Sequence, residues 1–488
     1  MSTLWSGVTA LCWLLHSQLC TADLFTSTHD MQEAMATEAL SLEDAHYFLS
    51  LEESRLDRAA AQHRRRLSSF PRVGSDTVLG KFIRTCRLYA LQADAASAAS
   101  MPALLPAFAA PSSRKWWPAD RDVTGAADGL CKLQRVYEVP VTRIAAMRTR
   151  RLPPASAEDL SYVARGCYAN GTHGNTTVWS RQALAAALNA GSSARKLELG
   201  LWWLRANDAR RAALEAGHRH LYPAPPETDV QDYKSVCAEK GDLRTDTGEI
   251  GCVLWTGNGD PRLILGPLKL EVLSLTPRVA VFVDFLTASE VAYIQQAGRT
   301  GLERGSIYDW DNPDGITSYK RISKVSWLWD ADHPSLAPLA RRISLATGLS
   351  LESAEPFQVA NYGLGGHYTP HDDASSFDQI ADEWDTKYGN RLATVLLYLS
   401  DVSLGGATAF VNLHLAVKPR RGAALFWHDL APYSGSDGPV HFSFWHQMKA
   451  LEDRTNHVGC PVLWGTKWIA TKWIREHSNV VVRFDYPG

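Results

Sequence analysis

Residues 457–474 read HVGCPVLWGTKWIATKWI. Apolar, β-branched and aromatic clusters only a few residues long, broken by Gly459, Pro461 and Gly465, are the pattern of strands set apart by turns. Residues 279–283, 357–360, 393–399, 423–427, 467–474 and 480–484 share that texture, and helical patterns interrupt them at about 288–297 and 336–347. The chain after about Tyr233 therefore predicts a sandwich or jelly-roll barrel with a site held inside.

The chemistry falls on the same strands. Of sixteen histidines, only His371 has a carboxylate two positions on, in Tyr368-Thr369-Pro370-His371-Asp372-Asp373. In an extended chain residues i and i+2 share a face, so the His371 imidazole and the Asp373 carboxylate can bind one metal. Two histidines and one carboxylate on one face of an octahedron leave three open positions, the arrangement of non-haem Fe(II) oxygenases. That geometry requires a third ligand. His457 is the best candidate, because it precedes the strand pattern Cys460-Pro461-Val462-Leu463 and then Lys467-Trp468; His428, His441 and His446 lack that setting. Lys467, ten residues beyond His457 at the start of a strand, would set a buried ammonium against a dicarboxylate such as 2-oxoglutarate. No HExxH sequence occurs, which argues against a zinc hydrolase.

At 488 residues the chain has room for two or three domains. Its 50 Lys and Arg against 52 Asp and Glu leave a formal net charge of -2, so neither nucleic acid nor an anionic membrane is an expected partner. Upstream of the strands the pattern is helical, giving an α+β multidomain class. From Asp30 to Leu67 there is no Pro or Gly, and Met35, Leu42, Leu49 and Leu56 recur every seven residues. This predicts a long helix whose apolar stripe packs on its own domain or forms a dimer seam. Residues 151–222 read as paired helices, a helical-repeat-like module, with Ser156-Ala157-Glu158-Asp159 as an amino-terminal cap. Residues 223–236, opening on Pro223-Ala224-Pro225-Pro226-Glu227, read as a linker.

Residues 1–22 read as a signal peptide, with an apolar stretch from about Val8 to Leu15 and small residues at Thr21 and Ala22. No later stretch reaches the ~18 apolar residues that span a bilayer. Without that segment six cysteines remain, Cys86, Cys131, Cys167, Cys237, Cys252 and Cys460, and Cys237 with Cys252, which bracket a polar loop, are the expected disulfide. The sequons at Asn170 and Asn175 fit a glycosylated luminal loop. The final residues RFDYPG carry no retention tetrapeptide, so residence in the endoplasmic reticulum would need a partner.

From about Tyr233 to Asp485 the sequence resembles the catalytic domain of the procollagen prolyl 4-hydroxylase alpha subunits, members of the iron and 2-oxoglutarate dioxygenase superfamily. The match is carried by Gln358-Val359-Ala360-Asn361-Tyr362-Gly363 with Gly365-Gly366 and His371-x-Asp373, then Asn390-Arg391-Leu392-Ala393-Thr394, Tyr398-Leu399-Ser400-Asp401-Val402 and Gly405-Gly406-Ala407-Thr408. It ends on His457 with Cys460-Pro461-Val462-Leu463-x-Gly465-x-Lys467-Trp468 and Lys472-Trp473. The resemblance implies a double-stranded β-helix dioxygenase domain over 237–488, a helical dimerisation region over 23–150 and a shortened peptide-substrate-binding domain over 151–222. It implies that His371, Asp373 and His457 hold Fe(II), that Lys467 pairs with the distal carboxylate of 2-oxoglutarate, that Tyr362 and Thr394 hydrogen-bond it, and that Trp473 lines the path of the target proline. The activity so implied is that of a procollagen-proline 4-dioxygenase acting on proline-rich, collagen-like peptides in the endoplasmic reticulum lumen. L-ascorbate would restore oxidised iron, and protein disulfide isomerase would serve as beta subunit of an alpha2beta2 tetramer.

Two departures bear on that reading. Residues 434–455 form a longer, more aromatic segment before the third ligand than the family has, able to act as a lid or to disturb His457. Cys460 matches a family cysteine whose usual partner, near the carboxyl terminus, is missing here, so Cys460 is either free or paired elsewhere. The alternatives are a dioxygenase for non-collagen prolines and a non-catalytic, peptide-binding assembly subunit.

Overall fold

The computed structural model describes residues 27–29, 81–83, 85–86, 120–145, 155–169, 173–189, 228–238, 251–309, 312–318, 320–375, 387–431 and 451–479. The expected helix over 30–67, the helical module beyond Asn189, the insertion up to residue 450 and the expected strand at 480–484 lie outside them. The chain divides into two compact units: residues 1–227 with the segments 363–366 and 463–465, and the remainder. No helix among the described residues is long and apolar enough to cross a membrane.

Within residues 1–227 the described elements are helices. Helix α1 (Asp120–Tyr137) buries Leu130, Leu133 and Val136, and α2 (Ala157–Ala169) and α3 (His173–Asn189) form a pair beside it. Ser156 caps α2 as expected: its Oγ accepts from Asp159 N at 3.1 Å, and Asp159 Oδ2 accepts from Ser156 N at 2.8 Å. A Cβ on Gly166 would stand 2.5 Å from that of Ala127, so the missing side chain lets α2 approach α1 closely. Cys131 of α1 is bonded to Cys167 of α2. The sequon at Asn175 lies within α3 and not in a loop; its amide donates to the Cys131 carbonyl at 3.3 Å, so a glycan there would displace a helix contact.

The second unit is built on two larger sheets, apart from short two-stranded ribbons. The strands of the larger sheets are β1 (Cys252–Trp255), β2 (Leu268–Leu275), β3 (Arg278–Val283), β4 (Glu303–Arg304), β5 (Lys324–Leu328), β6 (Phe357–Tyr362), β7 (Tyr368–His371), β8 (Arg391–Tyr398), β9 (Thr408–Phe410), β10 (Leu415–Val417), β11 (Ala424–His428), β12 (His457–Gly459) and β13 (Lys467–Arg475). Nine of them make one antiparallel sheet in the order β1-β2-β3-β11-β8-β13-β6-β5-β4; the other four follow the order β10-β9-β12-β7. In the larger sheet the period of two divides each strand between faces. Ala280, Phe282, Phe357, Val359, Val395, Leu397 and Phe426 pack on one side against helices α5 (Ala288–Arg299) and α6 (Ala337–Thr347). Val281, Ala360, Leu396, Leu425 and Ile469 face the other way, onto Phe410 and Val417 of the smaller sheet. Both helices stand where the apolar pattern placed them. Thr287 and Glu290 cap α5 reciprocally, and Gly348, at φ 74°, ends α6 in a left-handed conformation that a β-carbon would strain.

A further helix, α4 (Thr228–Cys237), occupies most of the stretch expected as linker and lies on the smaller sheet, against β7, β9 and β10. This corrects the disulfide expectation. Cys237, at the end of α4, is bonded to Cys460, just past β12, while Cys252 opens the edge strand β1, exposed and free. Sequence proximity across a polar loop is outweighed by the docking of α4, which carries Cys237 to the strand behind His457. Replacing Cys237 by Ser is expected to lower unfolding free energy by about 2–5 kcal/mol in non-reducing denaturant titrations, whereas Cys252→Ser should leave it unchanged.

Candidate active site

Strands β7 and β12 are neighbours, and their register sets His457 directly opposite His371. Asp373 lies two residues past the end of β7. Its Oδ1 is 3.8 Å from His371 Nε2 and its Oδ2 3.8 Å from His457 Nε2, and one donor atom from each of the three residues falls within 4.8 Å of the others. His371 Nδ1 donates to the Thr369 carbonyl at 2.8 Å and His457 Nδ1 to the Thr455 carbonyl at 3.1 Å. A carbonyl only accepts, so each ring carries its proton on Nδ1 and turns an Nε2 lone pair toward the carboxylate. Burial, with His457 alongside, presses the His371 pKa down to about 3, which keeps its ring neutral. Burial opposes ionisation of Asp373, but His457, His371 and Arg391 around it hold the carboxyl below its ordinary range. Two imidazoles and one carboxylate, each oriented from behind, could hold a divalent transition metal.

The described end of the insertion is tied back onto the fold beside this group. Leu451 pairs with Leu430, Glu452 N donates to Asp429 O at 3.0 Å, and Thr455 Oγ1 donates to His428 O at 3.0 Å. The residue that receives the His457 proton is thus itself tied to the end of β11.

Lys467 opens β13 opposite Tyr362 of β6, and by the two-residue period Lys467, Ile469, Thr471 and Trp473 all face the cavity that the three metal-binding candidates share. Lys467 is 1% exposed, its ammonium stands 4.8 Å from the Tyr362 ring, and no carboxylate among the described residues pairs with it. Burial alone lowers its pKa to about 7. Burial likewise pushes the Tyr362 phenol up to about 12, so it remains a neutral hydroxyl. A buried cation without a counter-charge, beside a phenol and facing two imidazoles and a carboxylate, fits a small dicarboxylate that also reaches a metal.

The remaining expected residues fall differently. Trp473 lines the cavity. Thr394, although opposite Trp473 in register, does not line it: its Oγ1 sits 2.8 Å from Asp373 Oδ2 and 2.8 Å from Asp429 Oδ2. The hydroxyl expected to meet 2-oxoglutarate is therefore engaged behind the carboxylate.

Several site residues carried no role in the sequence reading. The Arg391 guanidinium lies 3.9 Å over the Trp473 ring, donates to Glu355 at 2.6 and 2.9 Å, and reaches the Asp373 carbonyl at 3.2 Å. Glu355, 4% exposed, also accepts from Arg475 at 2.9 Å, completing an Arg–Glu–Arg triad in which Glu355 and Arg475 are buried and Arg391 is partly exposed. Burial would raise its pKa, but the two guanidiniums hold it below the ordinary range. Tyr368 stacks on His371 with ring centroids 3.6 Å apart, and Arg321, anchored on Gln358 at 2.6 Å, covers the Tyr368 ring. Trp327 of β5, 41% exposed, stands 6.0 Å from Trp473 and carries aromatic surface out to solvent. Arg391 and Tyr368 stood within quoted motifs; Glu355 and Arg321 have partners 36 and 37 residues away and no local signature. Glu355→Ala would leave two guanidiniums uncompensated, and a loss of about 3–5 kcal/mol in equilibrium unfolding is expected.

Residues 357–475 match the model of the 2OG-Fe(II) oxygenase superfamily, a span that begins on β6 and ends on β13. The prolyl 4-hydroxylase subunit alpha-1 of Gallus gallus is 30% identical over 419 residues, covering 75% of this chain and 78% of that protein. Prolyl 4-hydroxylase subunit alpha-1 of Caenorhabditis elegans is 29% identical over 74% of this chain and 71% of its own length. Subunit alpha-3 of Rattus norvegicus is 36% identical over 67% of this chain and 57% of that protein. With helices in its amino-terminal unit and an oxygenase domain built on sheets in its carboxyl-terminal unit, the chain belongs to the prolyl 4-hydroxylase alpha subunit family.

Proposed function

We propose that the chain hydroxylates C4 of peptidyl proline, as a 2-oxoglutarate-dependent dioxygenase of the procollagen-proline 4-dioxygenase type. The observation that carries this reading is the buried Lys467, which no carboxylate among the described residues pairs with, in one cavity with His371, Asp373 and His457. His371, Asp373 and His457 would hold Fe(II) through two Nε2 atoms and a carboxylate. Iron with 2-oxoglutarate and O2 supplies the oxidising power: one oxygen atom enters the proline C–H bond, the other ends in succinate, and CO2 leaves.

The protein's own groups do the rest. Lys467 gives the distal carboxylate of the co-substrate its counter-charge, and the Tyr362 hydroxyl offers a neutral hydrogen bond beside it. Thr394 acts on Asp373. Tyr368 and Arg321 wall the His371 side, which keeps water from the reacting region. Trp473, held flat by Arg391, meets the proline ring, and exposed Trp327 extends that surface along the flanking peptide; proline-rich segments dock on aromatic surfaces of this kind.

The jelly-roll description agrees with the two apposed antiparallel sheets, and the paired helices α2 and α3 agree with a helical peptide-binding module over 151–222. Residues 1–22 would be a signal peptide, 23–150 the dimerisation region and 237–488 the catalytic domain, with α4 leading into it. The family resemblance supports L-ascorbate as reductant, protein disulfide isomerase as partner in an alpha2beta2 tetramer, and a location in the endoplasmic reticulum lumen. Two disulfides, one of them behind the metal-binding candidates, suit an oxidising compartment.

Co-expression with protein disulfide isomerase should give peptide-dependent release of succinate matched by hydroxyproline in a collagen-like peptide, and His457→Ala should abolish both. A soluble, iron-loaded complex that forms neither product would instead favour another substrate or a non-catalytic subunit. The second expectation concerns pH. Lys467 titrates near 7 in the protein alone. Its pKa rises once a carboxylate faces it, so binding takes up a proton above that pH, and 2-oxoglutarate affinity should fall about tenfold per pH unit above about 7 until the raised pKa is reached. Calorimetry in buffers of different ionisation enthalpy reads both effects, and an affinity independent of pH between 6.5 and 9 would remove Lys467 from this role.

A further inference from the structure

Strand β5 ends on Trp327 and Leu328, with Trp329 just beyond it, and exposure alternates along the three: 41%, 3% and 50%. Leu328 sits with Phe357 in the core on the helix side of the larger sheet. Asp330 reaches the same side, where its carboxylate accepts from the Lys472 ammonium at 2.9 and 3.1 Å, over the Phe357 ring. The period of two thus runs on past the strand, and Trp329 shares the face of Trp327, which Gln358 and Trp473 turn to the cavity. Trp327 and Trp329 are the two exposed tryptophans among the described residues. Their mounting is firm: Trp329 O accepts from Asp332 N at 3.0 Å and from His333 N at 3.1 Å, and His333 Nδ1 lies 3.0 Å from the Tyr293 hydroxyl of α5. Aromatic surface held in water on a fixed backbone, continuous with a catalytic cavity, is suited to docking.

Register fixes the spacing. Trp327 and Thr471 both stand opposite Gln358, on either side of β6. Strands β5 and β13 both run antiparallel to β6, so two residues further along each, Trp329 and Trp473 come level again. They are then two interstrand spacings apart, roughly 9.6 Å. Trp327 stands between them, 6.0 Å from Trp473. A chain in the polyproline II conformation rises about 9.3 Å per three-residue turn and presents the same face once per turn. Proline rings three residues apart therefore match Trp473 and Trp329.

We propose that Trp329 is a specificity-determining residue: it stacks on a second proline of the substrate, one polyproline II turn away from the target proline at Trp473. The peptide then lies across β13, β6 and β5, with Trp327 under the step between the two prolines. The inference rests on the reading of the chain as a peptidyl-proline hydroxylase. Such a site selects for the three-residue spacing of prolines as well as for the target ring, because a proline-rich segment arrives already in the conformation the three indoles fit.

The test compares two peptides that share one target proline, the first with prolines three residues to either side and the second with alanines there. The full chain is co-expressed with protein disulfide isomerase; binding is read by calorimetry without iron, and KM and kcat by hydroxyproline formed with it. The unaltered protein should favour the first peptide by about fivefold to tenfold in Kd and in KM, at similar kcat. Trp329→Ala should weaken binding of the first peptide until the two are level, and Trp329→Phe should restore most of the difference. An unaltered protein that binds both peptides equally would overturn the proposal. So would a Trp329→Ala protein that still separates them, or one altered in kcat alone. If the first peptide binds and neither is hydroxylated by the iron-loaded protein, the hydroxylase reading falls, and the binding comparison alone decides for or against Trp329.

Discussion

His457 stands opposite His371 across one antiparallel pair, and the chemistry of the chain hangs on that register. A slip of one residue would turn one imidazole to the other face of the sheet. Four separate ties hold it: the Thr369 and Thr455 carbonyls that take the ring protons, the anchoring of Thr455 on the end of β11, and the bond from Cys460 to α4. None of these is a metal ligand. The protein therefore builds most of the site's order before any ion arrives, and an ion adds affinity to a geometry already chosen.

The site also divides its electrostatic work by sheet. The smaller sheet presents two imidazole rings and, just past β7, a carboxylate; β13 of the larger sheet presents a cation that burial brings to the edge of losing its proton. Each group alone is costly to bury or weakly held. A dicarboxylate bound to both sides would relieve the lysine's lack of a counter-charge. The Arg391–Glu355–Arg475 triad has a different task, since its charges are satisfied within the protein and its outcome is mechanical: a guanidinium plane pressed on Trp473.

Much of this was legible in the sequence wherever function and strand periodicity coincide. His371 and Asp373 two apart, and Lys467 and Trp473 six apart, share faces because the strand period is two, and helices α5 and α6 announced themselves by pattern. Pairings set only by tertiary packing were not legible. Cys237 found Cys460 because α4 folds onto a sheet, which the Pro-rich opening of that stretch concealed. Thr394 was assigned to the cavity by its motif, but a short hydroxyl beside two carboxyls is drawn to them first. Arg321 and Glu355 have partners too distant along the chain to leave any local trace.

Strand β13 is the last described strand in the chain order, yet it sits near the middle of the larger sheet, bonded to β8 on one side and β6 on the other. On a ribosome, which delivers a chain from its amino terminus, β6 and β8 emerge about a hundred and about eighty residues before the strand that must lie between them. They have to wait as unsatisfied edges, or pair provisionally and part again. Such a sheet is a late, all-at-once closure of distant segments, slow by its topology and exposed to wrong pairings meanwhile. The same event that completes the hydrogen bonding also delivers Lys467 and Trp473. For this chain, maturation of the sheet and onset of catalytic competence are one step, and a newly made copy passes its most aggregation-prone moment just before it becomes an enzyme.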